Sequence, residues 1–191
     1  KLGCFCLSEP EAGSDATQQK TEAIKDGDYY ILDGIKNWIT NGKNADTYFV
    51  QAMTDKAKAH KGISTFLVDK DTPGLETGVK EDKLGIRSSD TCTVSFNSCR
   101  VHKDQLLGGE GNGFKIAMET LNGGRIGIGA QALGIAQASL EASTKYAKTR
   151  KAFGSPIANL QAIQFKLADM ATNVEAARNL VLAAAWKKDN N

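Results

Sequence analysis

The segment GIKNWITNG contains side chains suited to holding a flat aromatic ligand. If the segment is extended, Trp38 and Thr40 lie on the same face, because side chains two residues apart point to the same side of a strand. The indole would then offer its plane, and the hydroxyl would offer a donor to a ring nitrogen. A tryptophan at this position could instead be part of the core. The segment is therefore a candidate for binding an aromatic cofactor.

Two loops also carry residue types that could bind a ligand. In SEPEAGSD, Pro10 and Gly13 are typical of a turn, and Ser14 and Asp15 offer hydroxyl and carboxylate groups for hydrogen bonds. A loop that only caps the structure would explain the same residues. In LGGEGNGF, backbone amides before a helix could cradle a phosphate, but the spacing of a dinucleotide-binding loop is absent. A flexible turn between domains is the preferred interpretation of that second loop.

The run NGGR, from Asn122 to Arg125, lies inside a segment of helical composition. Each glycine in a helix interior costs about 1 kcal/mol relative to alanine. Some contact must therefore require a bare backbone at this point. Close packing against another helix and the close approach of a ligand are equally good explanations.

The elements that position these residues fall into two halves of the chain. Between residues 21 and 96, short apolar runs alternate with turn residues, as in β structure. The predicted strands lie in DGDYYILDG, DTYFVQAMT, GISTFLVD, TPGLETG and CTVSFNS, and Asp26-Gly27 marks a turn. We predict a β domain over residues 1–110, folded as a small barrel or sandwich.

The second half has the apolar spacing of helices. The segment from Phe114 to about Lys148 is rich in alanine, leucine and isoleucine and contains no proline. A second helix is predicted after Pro156, because apolar residues recur there at spacings of three and four: Leu160, Ile163, Leu167, Met170, Val174, Ala177 and Val181. Between them, Gly154 and Pro156 suit a helix stop and restart.

The fold class that follows is α+β. We predict a β domain followed, over residues 111–191, by an antiparallel pair of helices. The second helix carries enough apolar surface for further helices to pack against it. Both ends of the sequence look cut, so we expect an internal fragment.

Composition argues against several classes of function. The 191 residues include 24 basic and 22 acidic side chains spread along the chain, with a net charge of +2, so no basic stripe predicts nucleic-acid binding. No apolar run reaches membrane-spanning length. The four cysteines are better interpreted as reduced thiols than as disulfides, and neither they nor the two histidines have zinc-site spacing. We expect no metal site.

Six segments occur in the order and spacing found in acyl-CoA dehydrogenases: CFCLSEPEAGSD, WITNG, KEDKLGIRSSDT, TLNGGRIGIGAQALGIAQ, TRKAFG and LQAIQFKLADMA. Each is moderately specific alone, and the series covers essentially the whole chain. The sequence most resembles the short-chain (butyryl-CoA) branch of that family. The resemblance implies a middle β domain and the first helices of the C-terminal domain, from a family whose members are longer.

The resemblance implies an FAD site in the first domain. Residues 5–14 match the loop that wraps the isoalloxazine, where Leu7 and Ser8 would hydrogen-bond to the polar edge of the ring. Trp38 would pack beside the flavin, Ile39 would line it, and Thr40 would hydrogen-bond N5, the atom that receives hydride. The residues matched to this site are Phe5, Leu7, Ser8, Gly13, Ser14, Trp38, Ile39 and Thr40.

The resemblance also implies a site shared between subunits. Arg150, Phe153 and Gln161 match residues that reach the FAD of a neighbouring subunit. The rigid planar fork of an arginine suits a pyrophosphate. A shared site implies a homo-oligomer, which in this family is a homotetramer.

For the substrate, the resemblance places Ser14 between flavin and acyl-CoA and Ser89 near the CoA moiety. The segment beside the thioester and the CoA chain is matched by Asn122, Gly123, Gly124 and Arg125. The sequence departs from the family at two points: Asn122 stands where aspartate is frequent, and Glu11 replaces a common glycine of the flavin loop.

The implied reaction is α,β-dehydrogenation of a short-chain acyl-CoA to a 2-enoyl-CoA in fatty acid β-oxidation, with electrons passed to an electron-transfer flavoprotein. A glutamate removes the α proton, and in the isovaleryl-CoA branch it stands at the position of Gly124. We therefore expect the base beyond Asn191, assign no catalytic residue here, and predict that the chain alone is inactive.

Two alternatives remain open from the sequence. One is an acyl-CoA oxidase-like flavoenzyme, and the other is a non-catalytic interaction protein that keeps the fold. The expected compartment is the mitochondrial matrix if the source is eukaryotic and the cytoplasm if it is bacterial.

Overall fold

The computed structural model describes residues 1–190. The chain divides into two compact units, Lys1–Glu119 and the part from Thr120 onward. In the described residues, no helix is long and apolar enough to cross a bilayer. The same residues contain no cluster of three or more His, Cys, Asp or Glu side chains that could ligate a metal.

The first unit is built on one mixed sheet of eight strands. The strands are β1 (Gly3–Cys6), β2 (Glu22–Asp26), β3 (Tyr29–Thr40), β4 (Thr47–Met53), β5 (Ile63–Asp69), β6 (Leu75–Thr77), β7 (Thr91–His102) and β8 (Leu106–Leu107). Their order is β6-β7-β3-β2-β4-β5-β8, and β1 pairs with β4 in parallel. Short 3-10 helices cover Lys56–Gly62 and Lys103–Gln105. The predicted β structure is confirmed, and its apolar runs lie in β3 to β7.

Turn residues set the connections between these strands. Asp26 pairs with Tyr29 across the β2–β3 hairpin, whose loop contains Gly27 at φ 60°. Gly74 has φ 88°, and a Cβ there would collide with the carbonyl oxygen of Asn97. Only glycine combines that left-handed backbone with so close an approach.

The core of the first unit lies on the inner face of the sheet. It is a single cluster of Cys4, Cys6, Ala23, Tyr30, Leu32, Ile39, Ala45, Tyr48, Val50, Ala52, Phe66, Val68, Cys92, Val94, Phe96, Cys99 and Val101. All four cysteines are free thiols within it. The Tyr48 hydroxyl donates to the carbonyl of Gly42 at 2.7 Å, so the largest buried polar group is satisfied.

Two long helices, α1 (Gly113–Thr149) and α2 (Gln161–Asp189), follow the sheet in the chain. Arg178 of α2 donates to the side-chain oxygen of Gln137 of α1 at 2.7 Å. A Cβ on Gly129 would lie 3.4 Å from Val181. From Gly129 to Gln137 of α1, the contact partners in α2 run backwards from Val181 to Arg178. The two helices are therefore antiparallel, as predicted.

The predicted seam of α2 is confirmed. Val174 is buried, and the other seam residues of α2 are half-buried. The connection differs from the prediction, because it is not a simple helix stop and restart. It contains a hairpin of β9 (Lys151–Ala152) and β10 (Ser155–Pro156), followed by a 3-10 turn at Ile157–Asn159. The turn dipeptide Phe153-Gly154 has φ of 52° and 79°, which is typical of a two-residue hairpin loop.

Candidate functional site

The loop after β1 is fixed to strand β3 by its backbone. The amide of Asn37 donates to the carbonyl of Ser8 at 2.8 Å, and the Lys36 ammonium donates to the carbonyl of Leu7 at 3.2 Å. Glu9 and Ala12 exchange two backbone hydrogen bonds that close a turn. The loop and β3 therefore form one frame.

A buried ion pair lies beneath this frame. The Lys36 ammonium donates to the Glu9 carboxylate at 2.8 Å and to the Gln19 side-chain oxygen at 3.0 Å. The Lys36 side chain is 0% exposed and that of Glu9 is 3% exposed. Glu9 also accepts from the amides of Lys20 at 2.6 Å and Thr21 at 3.1 Å.

The charges of this pair stabilise each other. Burial lowers the pKa of Lys36, and the Glu9 carboxylate opposes that effect. Burial alone would raise the pKa of Glu9, but the charge and hydrogen bond of Lys36, with the amide of Lys20, hold it below its usual range. The Glu9 carboxylate is therefore ionised at neutral pH, and its charge offsets part of the cost of burying the Lys36 ammonium.

Trp38 lies in a β-bulge, so the expectation of a simply extended segment is wrong at this residue. Lys36 pairs with Val94 and Ile39 pairs with Cys92, so two residues of β3 oppose one residue of β7. Trp38 has φ 62°, and its side chain is 64% exposed. Left-handed backbone is uncommon for a bulky residue. The sheet thus maintains a strained conformation that presents an indole to solvent.

The bulge also changes which face the next residues occupy. Tyr30, Leu32 and Lys36 alternate on the buried face, and strict alternation would place Trp38 there too. After the bulge, Ile39 is buried at 2% exposure in the core and Thr40 is exposed. Ile39 can therefore line a ligand only through its backbone.

The turn after Thr40 is held by Asp90. One oxygen of the Asp90 carboxylate accepts from the amide of Lys43 at 2.9 Å and from the side chain of Asn44 at 3.0 Å. Its backbone carbonyl accepts from the amide of Asn41 at 3.0 Å. The other carboxylate oxygen is buried and has no partner within residues 1–190. Asp90 follows Ser89 directly, so the predicted CoA segment and the Thr40 turn are joined.

Several donors of this frame have no internal partner. Within residues 1–190, the hydroxyls of Ser8, Ser14 and Thr40 and the indole N–H of Trp38 make no hydrogen bond to another residue. Phe5 packs its ring 5.8 Å from that of Phe49. The frame therefore presents the exposed indole of Trp38 together with the free hydroxyls of Ser8, Ser14 and Thr40.

Two predicted residues of the first unit lie away from the buried ion pair. A Cβ added to Gly13 would meet nothing within 4 Å. Ser89 is half-buried, and its carbonyl accepts from the Lys83 ammonium at 2.8 Å. The structure therefore places Gly13 and Ser89 outside the Lys36 network.

In the second unit, Phe153 stands at the tip of the β9–β10 hairpin. Phe153 is 94% exposed and has φ 52°. Arg150 and Gln161 are exposed, and neither side chain has a partner in the described part of the chain. The Arg150 carbonyl accepts from the amide of Ile157 at 2.9 Å, which ties the hairpin to the following turn.

The NGGR run forms one turn of α1. Arg125 donates to the Asn122 side chain. A Cβ on Gly123 would meet only the Lys188 ammonium, at 2.5 Å, and a Cβ on Gly124 would meet nothing within 4 Å. The end of a flexible lysine can move aside, so packing between α1 and α2 does not explain the two glycines.

A surface cavity of about 460 Å³ lies elsewhere in the first unit. Its lining includes Lys58, His60, Glu110 and Phe114, and none of the predicted ligand-binding residues. Both acidic and basic side chains line the cavity, so its lining does not favour a ligand of either charge. We give it no role in the candidate site.

Sequence reasoning missed three residues that hold the site together: Glu9, Lys36 and Asp90. Lys36 lies in GIKNWITNG next to Ile35, yet Ile35 is 48% exposed while Lys36 is fully buried. A polar residue beside an apolar one on a strand predicts the opposite arrangement. For Asp90, the only sequence feature that could indicate its role is its position directly before the apolar run TCTVSF.

Comparison with known proteins gives two family matches along the chain. Residues 4–99 match the acyl-CoA dehydrogenase middle domain. Residues 111–191 match the acyl-CoA dehydrogenase C-terminal domain.

Individual relatives agree with these matches. The mitochondrial short-chain specific acyl-CoA dehydrogenase of Mus musculus is 57% identical over 190 residues, which are 100% of this chain and 46% of that protein. Butyryl-CoA dehydrogenase from Megasphaera elsdenii has a TM-score of 0.96 and 54% identity, over 98% of this chain and 49% of that one. A chain of a structure described as the electron transferring flavoprotein of Acidaminococcus fermentans has a TM-score of 0.95 and 55% identity, over 99% of this chain and 50% of that one.

These matches cover nearly all of this chain but only part of each relative. The chain spans about half the length of the curated relatives it matches, while the relatives cover nearly all of the chain. The two domain matches follow each other in the order of the sheet and the helices. This chain belongs to the acyl-CoA dehydrogenase family.

Proposed function

We propose that this chain is part of an FAD-dependent acyl-CoA dehydrogenase that converts a short-chain acyl-CoA to the 2-enoyl-CoA and passes electrons to an electron-transfer flavoprotein. The observation that carries the proposal is the frame at β3. An exposed, strained Trp38 stands beside the free hydroxyls of Thr40 and Ser8. Relatives described as short-chain specific and butyryl-CoA dehydrogenases support the substrate class.

The residues present suit an isoalloxazine. A tricyclic ring needs a flat apolar surface and donors for its polar edge, and the frame offers an indole and free hydroxyls. When bound, FAD supplies the oxidant that accepts hydride from the substrate. Donors held in place before the reaction stabilise developing negative charge without reorganisation, which is the role we assign to Leu7, Ser8 and Thr40. Phe5, Gly13, Ser14 and the backbone of Ile39 complete the proposed contact surface.

For acyl-CoA binding we propose Ser14, Ser89 and the NGGR turn. The openness of Gly124 supports the close approach of a substrate chain. Asn122 is engaged by Arg125, so its contact with CoA is made through an amide that is already oriented. We assign the catalytic glutamate to the part of the relatives' length that this chain does not span.

We propose that Arg150, Phe153 and Gln161 contact the FAD of a neighbouring subunit in a homotetramer. Their side chains are exposed and unpartnered in the described residues. The domains are proposed as residues 1–110 and 111–191. The proposed compartment is the mitochondrial matrix in a eukaryote and the cytoplasm in a bacterium, since relatives come from Mus musculus mitochondria and from Megasphaera elsdenii.

The test is to express the gene with its sequence extended in both directions and to measure the visible spectrum and butyryl-CoA oxidation. We expect a yellow protein that reduces an electron-transfer flavoprotein or an artificial acceptor. The 191-residue chain alone, assayed beside it, is expected to show no turnover above free flavin.

The outcomes separate the competing functions. Rapid reoxidation of the reduced protein by oxygen would favour an acyl-CoA oxidase. An extended protein that is colourless and has no affinity for acyl-CoA would overturn the proposal in favour of an interaction protein.

A further inference from the structure

The Lys36–Glu9 pair is more than an internal contact of the sheet, because of what it holds. Lys36 reaches the Leu7 carbonyl at the start of the loop. Glu9 reaches the amides of Lys20 and Thr21 at its end. One ion pair therefore ties both ends of the segment 7–21 to strand β3.

Stability does not explain why this pair is ionic. Desolvating two charges is costly, and well-packed apolar residues of similar volume often serve as well or better in a protein interior. An apolar pair at positions 9 and 36 could fill the same space, but it could not fix the Leu7 carbonyl. The feature that only the charged pair provides is the orientation of the loop backbone.

We propose that Lys36 and Glu9 are positioning residues for the cofactor-binding loop, fixing the Leu7–Ser8 peptide relative to Trp38 and Thr40. This inference rests on the proposed FAD site. The side chains touch neither cofactor nor substrate in it. They act through the backbone of the residues that do.

The geometry explains how positioning would occur. Lys36 and Asn37 are consecutive on β3, and they bind the consecutive carbonyls of Leu7 and Ser8 at 3.2 and 2.8 Å. The next residue, Trp38, is the bulged one. The loop donors and the indole are thus held by three consecutive residues of one strand, Lys36, Asn37 and Trp38. The distance between the donors and the indole is therefore fixed before a ligand binds.

The experiment compares Lys36→Met, Glu9→Gln and the double variant in the extended protein. Lys103→Met is the matched control, because Lys103 pairs with Asp28 at 2.8 Å before β3 but is half-exposed. Two quantities are measured for each: the Kd of the apoprotein for FAD, with the absorption spectrum of bound flavin, and the apoprotein Tm.

We expect the two quantities to separate in the double variant. Lys36→Met leaves Glu9 charged and buried, so both Tm and FAD affinity fall. The double variant removes that lone charge, so its Tm recovers. Its FAD affinity stays about tenfold weaker and the flavin spectrum stays altered, because the loop is no longer held. A tenfold loss of affinity is about the contribution of one charge-assisted hydrogen bond. Lys103→Met changes neither quantity.

A purely structural role predicts that Tm and FAD affinity recover together, and a double variant with the parental Kd and spectrum would overturn the inference. If the Lys36 variants do not fold, Glu9→Gln decides, because its amide preserves the shape and one acceptor. It is expected to fold and to bind FAD more weakly, and an unchanged Kd would count against positioning. Failure of the unmodified protein to bind FAD would instead overturn the proposed function.

Discussion

The two units of the chain hold their predicted ligand residues in different ways. In the first unit, Trp38 stands between two buried residues of the sheet, Lys36 and Ile39. In the second, Phe153 has a similar left-handed backbone but stands on a hairpin of two-residue strands. Among the described residues from Thr120 onward, only Ala147 and Val174 are buried apolar side chains. The sheet fixes its site through a core, whereas the helical unit fixes its site through one local turn.

The two tryptophans allow this difference to be measured. Trp38 lies in the first unit and Trp186 in the second. In the 191-residue chain, replacing either one with phenylalanine leaves a single tryptophan that reports on one unit during urea unfolding. The predictions below use these two single-tryptophan backgrounds.

The largest expected effect is the loss of a core side chain from the first unit. Phe66 is 0% exposed in the main cluster, and Phe66→Ala is expected to lower the free energy of unfolding by about 4 kcal/mol. Val174→Ala in α2, where Val174 is 7% exposed, should cost about 1.5 kcal/mol. The exposed Phe165→Ala is the control, with a change under about 0.5 kcal/mol. Equal losses for Phe66 and Val174 would contradict the comparison.

The next effect is the dependence of the first unit on acid. The pKa of Glu9 lies below its usual value near 4.5, so below pH 4.5 the unfolded chain binds more protons at Glu9 than the folded chain does. The stability from the ionised carboxylate is present above that pH and is lost as pH falls through the folded pKa.

Urea unfolding of the Trp38 reporter between pH 6 and pH 3 measures this loss. Other carboxylates also contribute, so the informative quantity is the difference from Glu9→Gln. We expect a shallower decline with falling pH in that variant. Glu175→Gln is the control, because Glu175 pairs with Arg178 at the exposed surface of α2. A decline as steep in Glu9→Gln as in the parent would show that the pair does not stabilise the fold.

A smaller loss is expected at the turn after Thr40. Asp90→Ala removes the acceptor of Lys43 and Asn44 and should cost about 2 kcal/mol, since the two donors are left without it. The Trp38 reporter should detect this loss, and the Trp186 reporter should not. A shift seen equally by both reporters would mean that the units unfold as one.

How much of this could be read from the sequence depends on how local the cause is. The α2 seam and the strand runs follow from periodicity alone, because a helix or strand needs one apolar face. The bulge at Trp38 depends on pairing with β7, which no local pattern specifies. The burial of Lys36 depends on Glu9, which is 27 residues away. The motif residues could be named from resemblance, but the network that holds the loop could not.

The smallest predicted effect tests the two left-handed aromatics against each other. Asparagine tolerates a positive φ better than an aromatic residue does. Phe153→Asn should therefore stabilise the second unit by about 0.5 kcal/mol, because a residue that is 94% exposed loses little packing. Trp38→Asn, made in the extended protein and followed by thermal unfolding, should give no such gain, since a residue that is 64% exposed loses more packing than one that is 94% exposed.

Both substitutions should weaken FAD binding if the rings contact flavin as proposed. A gain in stability together with a loss of affinity at Phe153 would mean that the hairpin keeps a strained aromatic residue for binding rather than for folding. If Phe153→Asn instead destabilised the second unit, the ring would have packing contacts in the assembled protein, and the turn would depend on more than its own two residues.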